Sequence, residues 1–424
     1  MKNKFSFSVV FMLFSVLAFS QEKSKKPKVN WSITTQFWAR YSDLNDGTKI
    51  NGEETDTHFD VSLRRLRIPV SSQITPKIYA YAIFGGNNFN HKSKNFPLQV
   101  LDLYAEYSFS KKFEVGMGKS GWQGLDRWNV RSSKSLMGLD SPLFSLTTVN
   151  KDDDLGRNLS VWFKGQASKF DYRFVISNPI SVSNVPSGKV DFANNRPRNR
   201  FSTYVKYQFF EHESNKSSYQ TGTYINKKKV WNIGLGGQYQ EKAFADGDAD
   251  GVLDIEKDVV PPLASNIYDM KNWAVDSFLS LPLNGDHGIT AYLGYYSFDL
   301  GKDYIRTVDA NGSIFDSGSG TTLNKDGNGF PMMGTGSTSY FQFGYALPLN
   351  DKVIIQPNLA VQYSDFDALE DAMAVYDFTI NFFMNGHSNK LSLGYQSRPI
   401  FDKDTFKQID RKGMTVLQYQ ITIK

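Results

Sequence analysis

Apolar and polar residues alternate with a period of two in many segments of the chain. The segment VNWSITTQFWARYS carries Ile33, Phe37 and Tyr41 on one face and Gln36 and Arg40 on the other. The same alternation returns in RNLSVWFKGQ, VIIQPNLAVQYS and TVLQYQITIK. A tilted strand needs about 9–11 residues to cross a bilayer, and these segments reach that length. The pattern predicts β-strands that are apolar on one face and polar on the other.

The connections between the predicted strands alternate in length. Short turns such as ITPK, FSKK, QASK and PLND separate longer connections, and roughly sixteen strands fit the pattern. The long connections are residues 43–57, 85–97, 120–155, 178–199, 242–270, 300–337, 365–371 and 398–412. One long segment, HESNKSSYQTGTYINKKK (residues 212–229), stands where a short turn is due, which indicates either a miscounted strand pair or an extended turn.

This alternation of loop lengths distinguishes two classes of all-β protein. An outer-membrane barrel has short periplasmic turns and long extracellular loops. A soluble sandwich or propeller also has alternating strands but has no reason to lengthen every second loop. We therefore predict an all-β fold, a transmembrane antiparallel β-barrel of about 16 strands.

The first twenty residues have the features of an export signal. Lys2 and Lys4 precede an apolar run, and Ala18-Phe19-Ser20 offers the small-residue spacing of a cleavage site. A membrane anchor fits less well, because the run is shorter than the roughly 18–20 residues of a spanning helix. We predict a signal peptide at 1–20 and a single outer-membrane β-barrel domain at 21–424, in a Gram-negative bacterium.

Composition agrees with a membrane barrel. The chain has 22 Tyr and 33 Phe, and barrels place such aromatic residues in girdles at both membrane interfaces. The net charge of +5 falls by two when the signal lysines leave, which is too small to indicate a nucleic-acid partner. Outer-membrane lipid is the expected surrounding of the protein.

Three arginines in DVSLRRLRIPV need an environment other than lipid. If Leu66 and Ile68 face lipid, then Arg65 and Arg67 face the lumen. The opposite register would cost roughly 2–4 kcal/mol for each arginine near the midplane. Arg64 then lies one pleat earlier, and we expect it to snorkel to a membrane interface.

Three segments resemble the phosphate-selective porin O and P family of outer-membrane proteins. They are HFDVSLRRLRIPVSSQITPKIYAYAIFG, LQVLDLYAEYSFSKKFEVGMGKSGWQGL and LGRNLSVWFKGQASKFDYRFVISNP, and the resemblance is clearest over residues 58–210. It implies a sixteen-stranded barrel, usually trimeric, with an arginine ladder in the lumen. It also implies that the third long loop, here residues 120–155, folds inward to narrow the pore.

The candidate anion-binding residues follow from the phase of the strands and from this loop. In the strands they are Arg40, Arg65, Arg67, Lys164, Arg173, Lys206 and Arg398, and in the loop Arg127, Arg131 and Lys134. The inward acids are Asp102, Glu106, Glu114, Asp171 and Asp377, with Asp126 and Asp140 in the loop. The cations either line a pore that prefers anions or brace the wall by pairing with these carboxylates.

The sequence therefore predicts a porin for passive diffusion of small hydrophilic solutes. A preference for anions, and for phosphate among them, stays open because the expected lining is mixed in charge. Arginine suits phosphate because its planar fork matches two oxygens at once.

A second candidate site is the acidic segment DGDADGVLD. Asp246, Asp248, Asp250 and Asp254 fit the start of a calcium loop, in which carboxylates at alternate positions converge on the ion. The twelfth position is Lys257 instead of a bidentate Glu. The segment is either a weak extracellular calcium site or a solvated acidic loop, and no other cofactor is indicated.

Two other functions remain as alternatives. A barrel hydrolase needs a nucleophile or activated water beside a base, and no histidine lies in an HExxH or GxSxG context. We therefore predict that the chain is not an enzyme. The histidines are His58, His91, His212, His287 and His387. The other alternative is a non-conducting structural or adhesive barrel whose loops bind a partner.

Overall fold

The computed structural model describes most of the chain. The described residues are 27–90, 96, 98–122, 124–128, 131–148, 156–178, 190–193, 198–245, 266–309, 319–320, 323–324 and 326–424. The predicted signal peptide at 1–20 lies outside them. Asp246, Asp248, Asp250 and Asp254 of the predicted calcium loop also lie outside the described residues, so both hypotheses stay predictions.

Sixteen antiparallel strands close into a barrel, as the alternation of residues predicted. They are β1 (Ile33–Asp43), β2 (Thr57–Gln73), β3 (Ile78–Phe89), β4 (Gln99–Ser110), β5 (Phe113–Ser120), β6 (Asn158–Ala167), β7 (Phe170–Ser177), β8 (Arg200–Gln208), β9 (Val230–Ala245), β10 (Ile267–Pro282), β11 (Gly288–Asp299), β12 (Gly336–Asn350), β13 (Val353–Phe366), β14 (Met373–Phe383), β15 (Asn389–Phe401) and β16 (Gln408–Ile423). Each strand pairs with the next, and β1 pairs with β16 from Ile33↔Ile423 to Ser42↔Met414. A short segment, Val29–Trp31, precedes β1 and pairs with β2.

The two faces of the strands are those that the sequence predicted. On β1 the side chain of Phe37 is 45 % exposed, whereas that of Arg40 is 1 % exposed. On β16 Leu417 and Tyr419 are exposed, while Gln418 is buried. Apolar side chains therefore form the outer surface, and polar side chains point into the barrel.

The connections also alternate in length as predicted. Turns 74–77, 111–112, 168–169, 283–287, 351–352 and 384–388 lie at the end of the barrel that faces the periplasm in outer-membrane proteins. The one exception, residues 209–229 between β8 and β9, contains no strand, and all of its residues are described. It is an extended turn, which is the second of the two alternatives that the sequence left open.

A β-bulge corrects the expected position of Arg64. The register of β1 against β2 shifts, so that Gln36 pairs with Arg65 and Phe37 with Leu63. Arg64 is the extra residue of this bulge, and both Arg64 and Arg65 are buried on the lumen side. The expectation that Arg64 snorkels to a membrane interface is wrong, because a bulge places two consecutive residues on one face.

Seven further β-segments lie outside the barrel strands or extend them. They are Val29–Trp31, Lys49–Ile50, Glu53–Glu54, Asp191–Phe192, Ile305–Asp309 with Ser319–Gly320, and Gly329–Gly334. The segments Ile305–Asp309 and Gly329–Gly334 pair with each other within the connection 300–335. Within the described part of the chain, no helix is long and apolar enough to span a membrane.

The outward face of β9 gives a test of the barrel assignment. Leu235 is 59 % exposed near the middle of the strand, so Leu235→Arg places a charge in hydrocarbon. We expect the free energy of unfolding in lipid vesicles, measured by urea titration, to fall by about 2–4 kcal/mol. The control is Ile267→Arg at the end of β10, with an expected loss of about 0–1 kcal/mol. Equal losses at the two depths would contradict the assignment.

Candidate functional site

Two of the connections fold into the lumen and meet there. The inserted loop is the connection 121–157, whose described parts are 121–122, 124–128, 131–148 and 156–157, and the strap is the extended turn 209–229. The backbone carbonyl of Met137 in the inserted loop accepts hydrogen bonds from Asn358 (2.9 Å) on β13 and Asn381 (2.6 Å) on β14. The inward folding of the third long loop is thereby confirmed.

The inserted loop also contacts the opposite wall. Gln36 on β1 donates to the carbonyl of Ser133 (3.0 Å), and Gln420 on β16 donates to the carbonyl of Lys134 (2.9 Å). Since residues 133–137 are held from β1 and β16 on one side and from β13 and β14 on the other, the loop runs across the barrel.

One side of the inserted loop packs against aromatic residues of the wall. Trp128 makes an edge contact with Tyr292 (ring centroids 5.1 Å apart), and Phe144 makes one with Tyr296 (4.8 Å). The backbone N–H of Arg127 donates to Asp276 (2.9 Å), which also accepts from the hydroxyl of Tyr292 (3.1 Å). This packing fills the lumen beside β10–β12.

Glu213 of the strap joins three parts of the protein. Its carboxylate accepts two hydrogen bonds from Arg127 of the inserted loop (2.7 and 2.8 Å) and one from Lys206 of β8 (2.9 Å). Asn232 and Tyr224 also donate to it (2.5 and 2.8 Å). Although burial raises the pKa of Glu213, the charges of Arg127 and Lys206 hold it well below its usual range.

The strap continues across the periplasmic mouth to the far wall. The side chain of Thr223 bonds to Thr290 on β11 (2.8 Å) and accepts from Gln356 on β13 (3.2 Å). Ile225 packs in a small apolar cluster with Ala346 and Phe383. The strap is therefore attached on both sides of the barrel.

Asp140 of the inserted loop is held by the two arginines of the bulge. Arg64 donates to one carboxylate oxygen (2.6 and 3.0 Å), and Arg65 donates to the other. Burial raises the pKa of Asp140, but the charges of Arg64 and Arg65 outweigh it and hold the pKa well below its usual range. This ion pair fixes the distance between the inserted loop and β2.

A cavity of about 260 Å³ remains between β1–β3, the inserted loop and the strap. Its lining contains five basic side chains, Arg65, Arg67, Arg131, Lys134 and Arg157. No acidic side chain of the described residues lines it. The cavity is the candidate site, because it is the place where several predicted cations face a common space.

Two carboxylates that do not line the cavity form ion pairs with lining arginines and offset part of the positive charge. Asp140 binds Arg65, and Asp102 on β4 accepts from Arg157 (2.9 Å). Among the residues that the structure describes, no carboxylate oxygen lies within 4.0 Å of the charged groups of Arg131 or Lys134. Burial lowers the pKa of Arg131 to about 10, so it remains a cation at neutral pH. The lining therefore keeps an excess of positive charge.

The ten predicted cations divide into two groups. Arg65, Arg67, Arg131 and Lys134 line the cavity. The other six do not; they are Arg40, Arg127, Lys164, Arg173, Lys206 and Arg398.

Four of these six form ion pairs with carboxylates: Arg40 and Lys164 within the wall, Lys206 between the wall and the strap, and Arg127 between the inserted loop and the strap. The nitrogen–oxygen distances are 2.7 Å for Arg40–Asp60, 2.7 Å for Arg127–Glu213, 2.8 Å for Lys164–Glu106 and 2.9 Å for Lys206–Glu213. Of the remaining two, Arg173 lies 4.8 Å from the ring of Tyr204, and Arg398 donates to the carbonyl of Asp43 (2.8 Å).

Sequence reasoning missed several residues of this arrangement. Arg157 precedes β6 by one residue, and strand alternation from Asn158 would place it on the lipid side. Asp60 shares its face with Arg65 only because of the bulge, so strict alternation separates them. Glu213 lies in a turn without periodicity, where no signal of the sequence indicated a lumen contact.

Two of the described histidines have separate hydrogen-bond partners. His287 bonds to the hydroxyl of Tyr345 (3.0 Å), and His387 bonds to the carbonyl of Thr223 (2.9 Å). Among the described residues, no group of three His, Cys, Asp or Glu side chains is placed to hold a metal ion. His91 lies outside the described residues.

Solved structures share this architecture. The outer membrane channel DcaP of Acinetobacter baumannii has a TM-score of 0.52 and 13 % identity, with 94 % of this chain and 99 % of that chain covered. OprB of Pseudomonas putida has a TM-score of 0.56 and 10 % identity, covering 93 % and 94 %.

An anion-selective porin from Comamonas acidovorans has a TM-score of 0.48 and 12 % identity, covering 94 % and 99 %. No family model and no curated protein matches the chain. At 10–13 % identity, the similarity to these solved structures concerns the fold alone. The chain has the closed sixteen-stranded fold of outer-membrane porins.

Proposed function

We propose that the protein is an outer-membrane porin that lets small hydrophilic solutes diffuse passively and prefers small anions. The observation that carries this proposal is the cavity whose lining has five basic side chains and, among the described residues, no acidic one. It lies inside a transmembrane barrel, between the wall and two inserted segments. Basic side chains at the narrow part of a pore attract anions and exclude cations.

Within the same cavity we propose, more narrowly, that phosphate is the preferred anion. Arg65 and Arg67 lie on one wall of the cavity, and Arg131 lies on the inserted loop. Guanidinium groups bind phosphate through paired hydrogen bonds, which favours phosphate over chloride. Membership of the phosphate-selective porin O and P family rests on the three resembling segments, and a trimeric assembly in a Gram-negative outer membrane is proposed with it.

A non-conducting barrel is the second candidate. It is favoured by the packing of the lumen, since the inserted loop and the strap both cross it and are held by the buried Glu213. The absence of any current from the folded protein would support this candidate. Neither candidate makes the protein an enzyme, and we propose that it is none.

The charge of the cavity gives the first functional prediction. In the double variant Arg131→Gln/Lys134→Gln, two of the five lining cations are removed without touching a wall ion pair. We expect the chloride-to-potassium permeability ratio to fall by about half or more. Reversal potentials of single channels in a planar bilayer under a KCl gradient measure it. Lys302→Gln, at an exposed residue of the connection 300–335, is the control. An unchanged ratio in the double variant would refute the proposed role of the cavity in anion selectivity.

The buried carboxylate of the strap gives the second prediction. Glu213→Gln leaves Arg127 and Lys206 buried without their counter-charge, at a cost of about 3–5 kcal/mol. We expect the strap and the inserted loop to loosen, so that single-channel conductance and its fluctuations increase. Glu211→Gln is the matched control, because Glu211 lies on the same strap but is exposed. A folded Glu213→Gln variant with wild-type conductance would show that this carboxylate does not hold the strap.

The pH dependence of the conductance gives the third prediction. Since the pKa values of Asp140 and Glu213 lie below the usual range, their stabilisation is present above about pH 4 and is lost as pH falls through the lowered values. We expect the ion pairs of Asp140 and Glu213, and with them the attachment of the inserted loop and the strap, to persist from pH 8 to about pH 5 and to weaken only in stronger acid. The amplitude of single-channel current fluctuations recorded over a pH series tests this expectation, and an increase that begins near pH 6 would contradict it.

A further inference from the structure

Exposed lysines cluster on one sector of the periplasmic rim. Lys111 and Lys112 form the turn between β4 and β5, Lys169 lies in the turn between β6 and β7, and Lys229 ends the strap before β9. All four side chains are exposed. Three successive connections thus carry lysine at the same end of the barrel.

Hydrogen bonds join these turns into a continuous rim. The N–H of Gln166 donates to the carbonyl of Lys111 (2.9 Å), and the hydroxyl of Tyr172 donates to the carbonyl of Lys112 (2.7 Å). The ammonium group of Lys169 donates to the carbonyl of Phe209 (3.1 Å). The lysines therefore stand side by side and not on separate mobile tips.

A row of aromatic side chains lies directly next to the lysines on the outer face of β4–β9. The ring centroids are 5.5 Å apart for Phe109–Phe113, 6.2 Å for Phe113–Phe163, 5.1 Å for Phe170–Tyr207, 4.8 Å for Tyr207–Phe209 and 4.1 Å for Phe209–Trp231. Such aromatic girdles lie at the level of the lipid headgroups. This row therefore marks the membrane interface of the periplasmic leaflet.

Two of the lysines lie over rings of this sector. The ammonium group of Lys229 is 4.3 Å from the ring centroid of Phe210, and that of Lys169 is 5.9 Å from that of Tyr207. The carbon stems of these lysines lie along the apolar girdle while their charges remain at the polar boundary. The charges consequently stand at the height of the phospholipid phosphates.

Few opposing charges face this sector. Glu211 is exposed and accepts from the backbone N–H of Lys229 (2.8 Å), whereas Glu114 is directed to Lys164 in the lumen (3.4 Å). On the other side of the rim, the turns 283–287 and 351–352 carry Asp286, Asp351 and Lys352. Positive charge is thus concentrated on the sector from β2 to β9, in which the turn 74–77 adds the exposed Lys77.

We propose that this lysine rim binds the phosphate groups of anionic phospholipids in the periplasmic leaflet. Clusters of lysine next to the interface attract anionic lipids through their charge. The aromatic row favours a lipid ligand over a soluble phosphate compound, because it places the lysines against the membrane and not toward the lumen. The proposal does not depend on conduction through the barrel.

The test is native mass spectrometry of the purified full-length protein from micelles that contain equal amounts of phosphatidylglycerol and phosphatidylcholine. We expect the wild-type protein to retain phosphatidylglycerol preferentially. In the variant Lys111→Gln/Lys112→Gln/Lys169→Gln/Lys229→Gln, this preference falls by about tenfold or more. The matched control changes four exposed lysines at the opposite end of the barrel, Lys49, Lys302, Lys403 and Lys407, to Gln and keeps the wild-type preference.

Equal retention of the two lipids by the wild-type protein, or a wild-type preference in the quadruple variant, overturns the proposal. Displacement of the lipid by millimolar inorganic phosphate also overturns it, since the rim would then be a general phosphate site. Heat-dependent migration in electrophoresis verifies that each variant is folded. If the quadruple variant does not fold, Lys111→Gln/Lys112→Gln alone lowers the preference by a smaller factor.

Discussion

Every backbone N–H and C=O group inside a bilayer must find a hydrogen-bond partner within the protein, and the rest of this structure follows from that constraint. The pairing of β1 with β16 leaves the sixteen-stranded sheet without an edge in the membrane. Closure forces one face of each strand toward lipid and the other toward the lumen. A barrel of sixteen strands is too wide for its wall side chains to fill, so polar groups that point inward need partners from elsewhere.

The inserted loop and the strap supply partners for many inward polar groups. Their contacts differ from one side of the barrel to the other. Beside β10–β12 the loop packs Trp128 and Phe144 against tyrosines, which excludes water from that side. Toward β1–β3 the same loop presents Arg131 and Lys134 to an open cavity. One segment thus packs against the wall on one side of the lumen and lines a basic cavity on another. The buried Glu213 keeps this division in place, because it binds loop, strap and wall together.

Much of the barrel was predictable from sequence, because a period of two is a direct consequence of strand geometry. The outward Leu417 and inward Gln418 needed nothing more than alternation. The sequence prediction placed Arg64 wrongly, because a bulge shifts the inward–outward alternation at one residue. Alternation alone does not reveal at which residue the bulge lies. Asp60 was missed for the same reason. Glu213 was missed because contacts across a lumen depend on how a turn folds, and a turn without periodicity gives no phase to follow.

The bulge in β2 indicates how the number of charges on a pore wall can change during evolution. In a regular strand, residues on the same face are about 6.6–6.8 Å apart along the chain, so neighbouring charges are always separated by a residue on the lipid side. The bulge sets Arg64 and Arg65 next to each other on the inner face, and one carboxylate, Asp140, bridges both. If Arg64 were deleted, Asp60, Ser62, Arg65 and Arg67 would follow one unbroken inner alternation and the lipid face would keep its residues. A single in-frame codon insertion at this place therefore adds one charge to the lumen without disturbing the membrane surface.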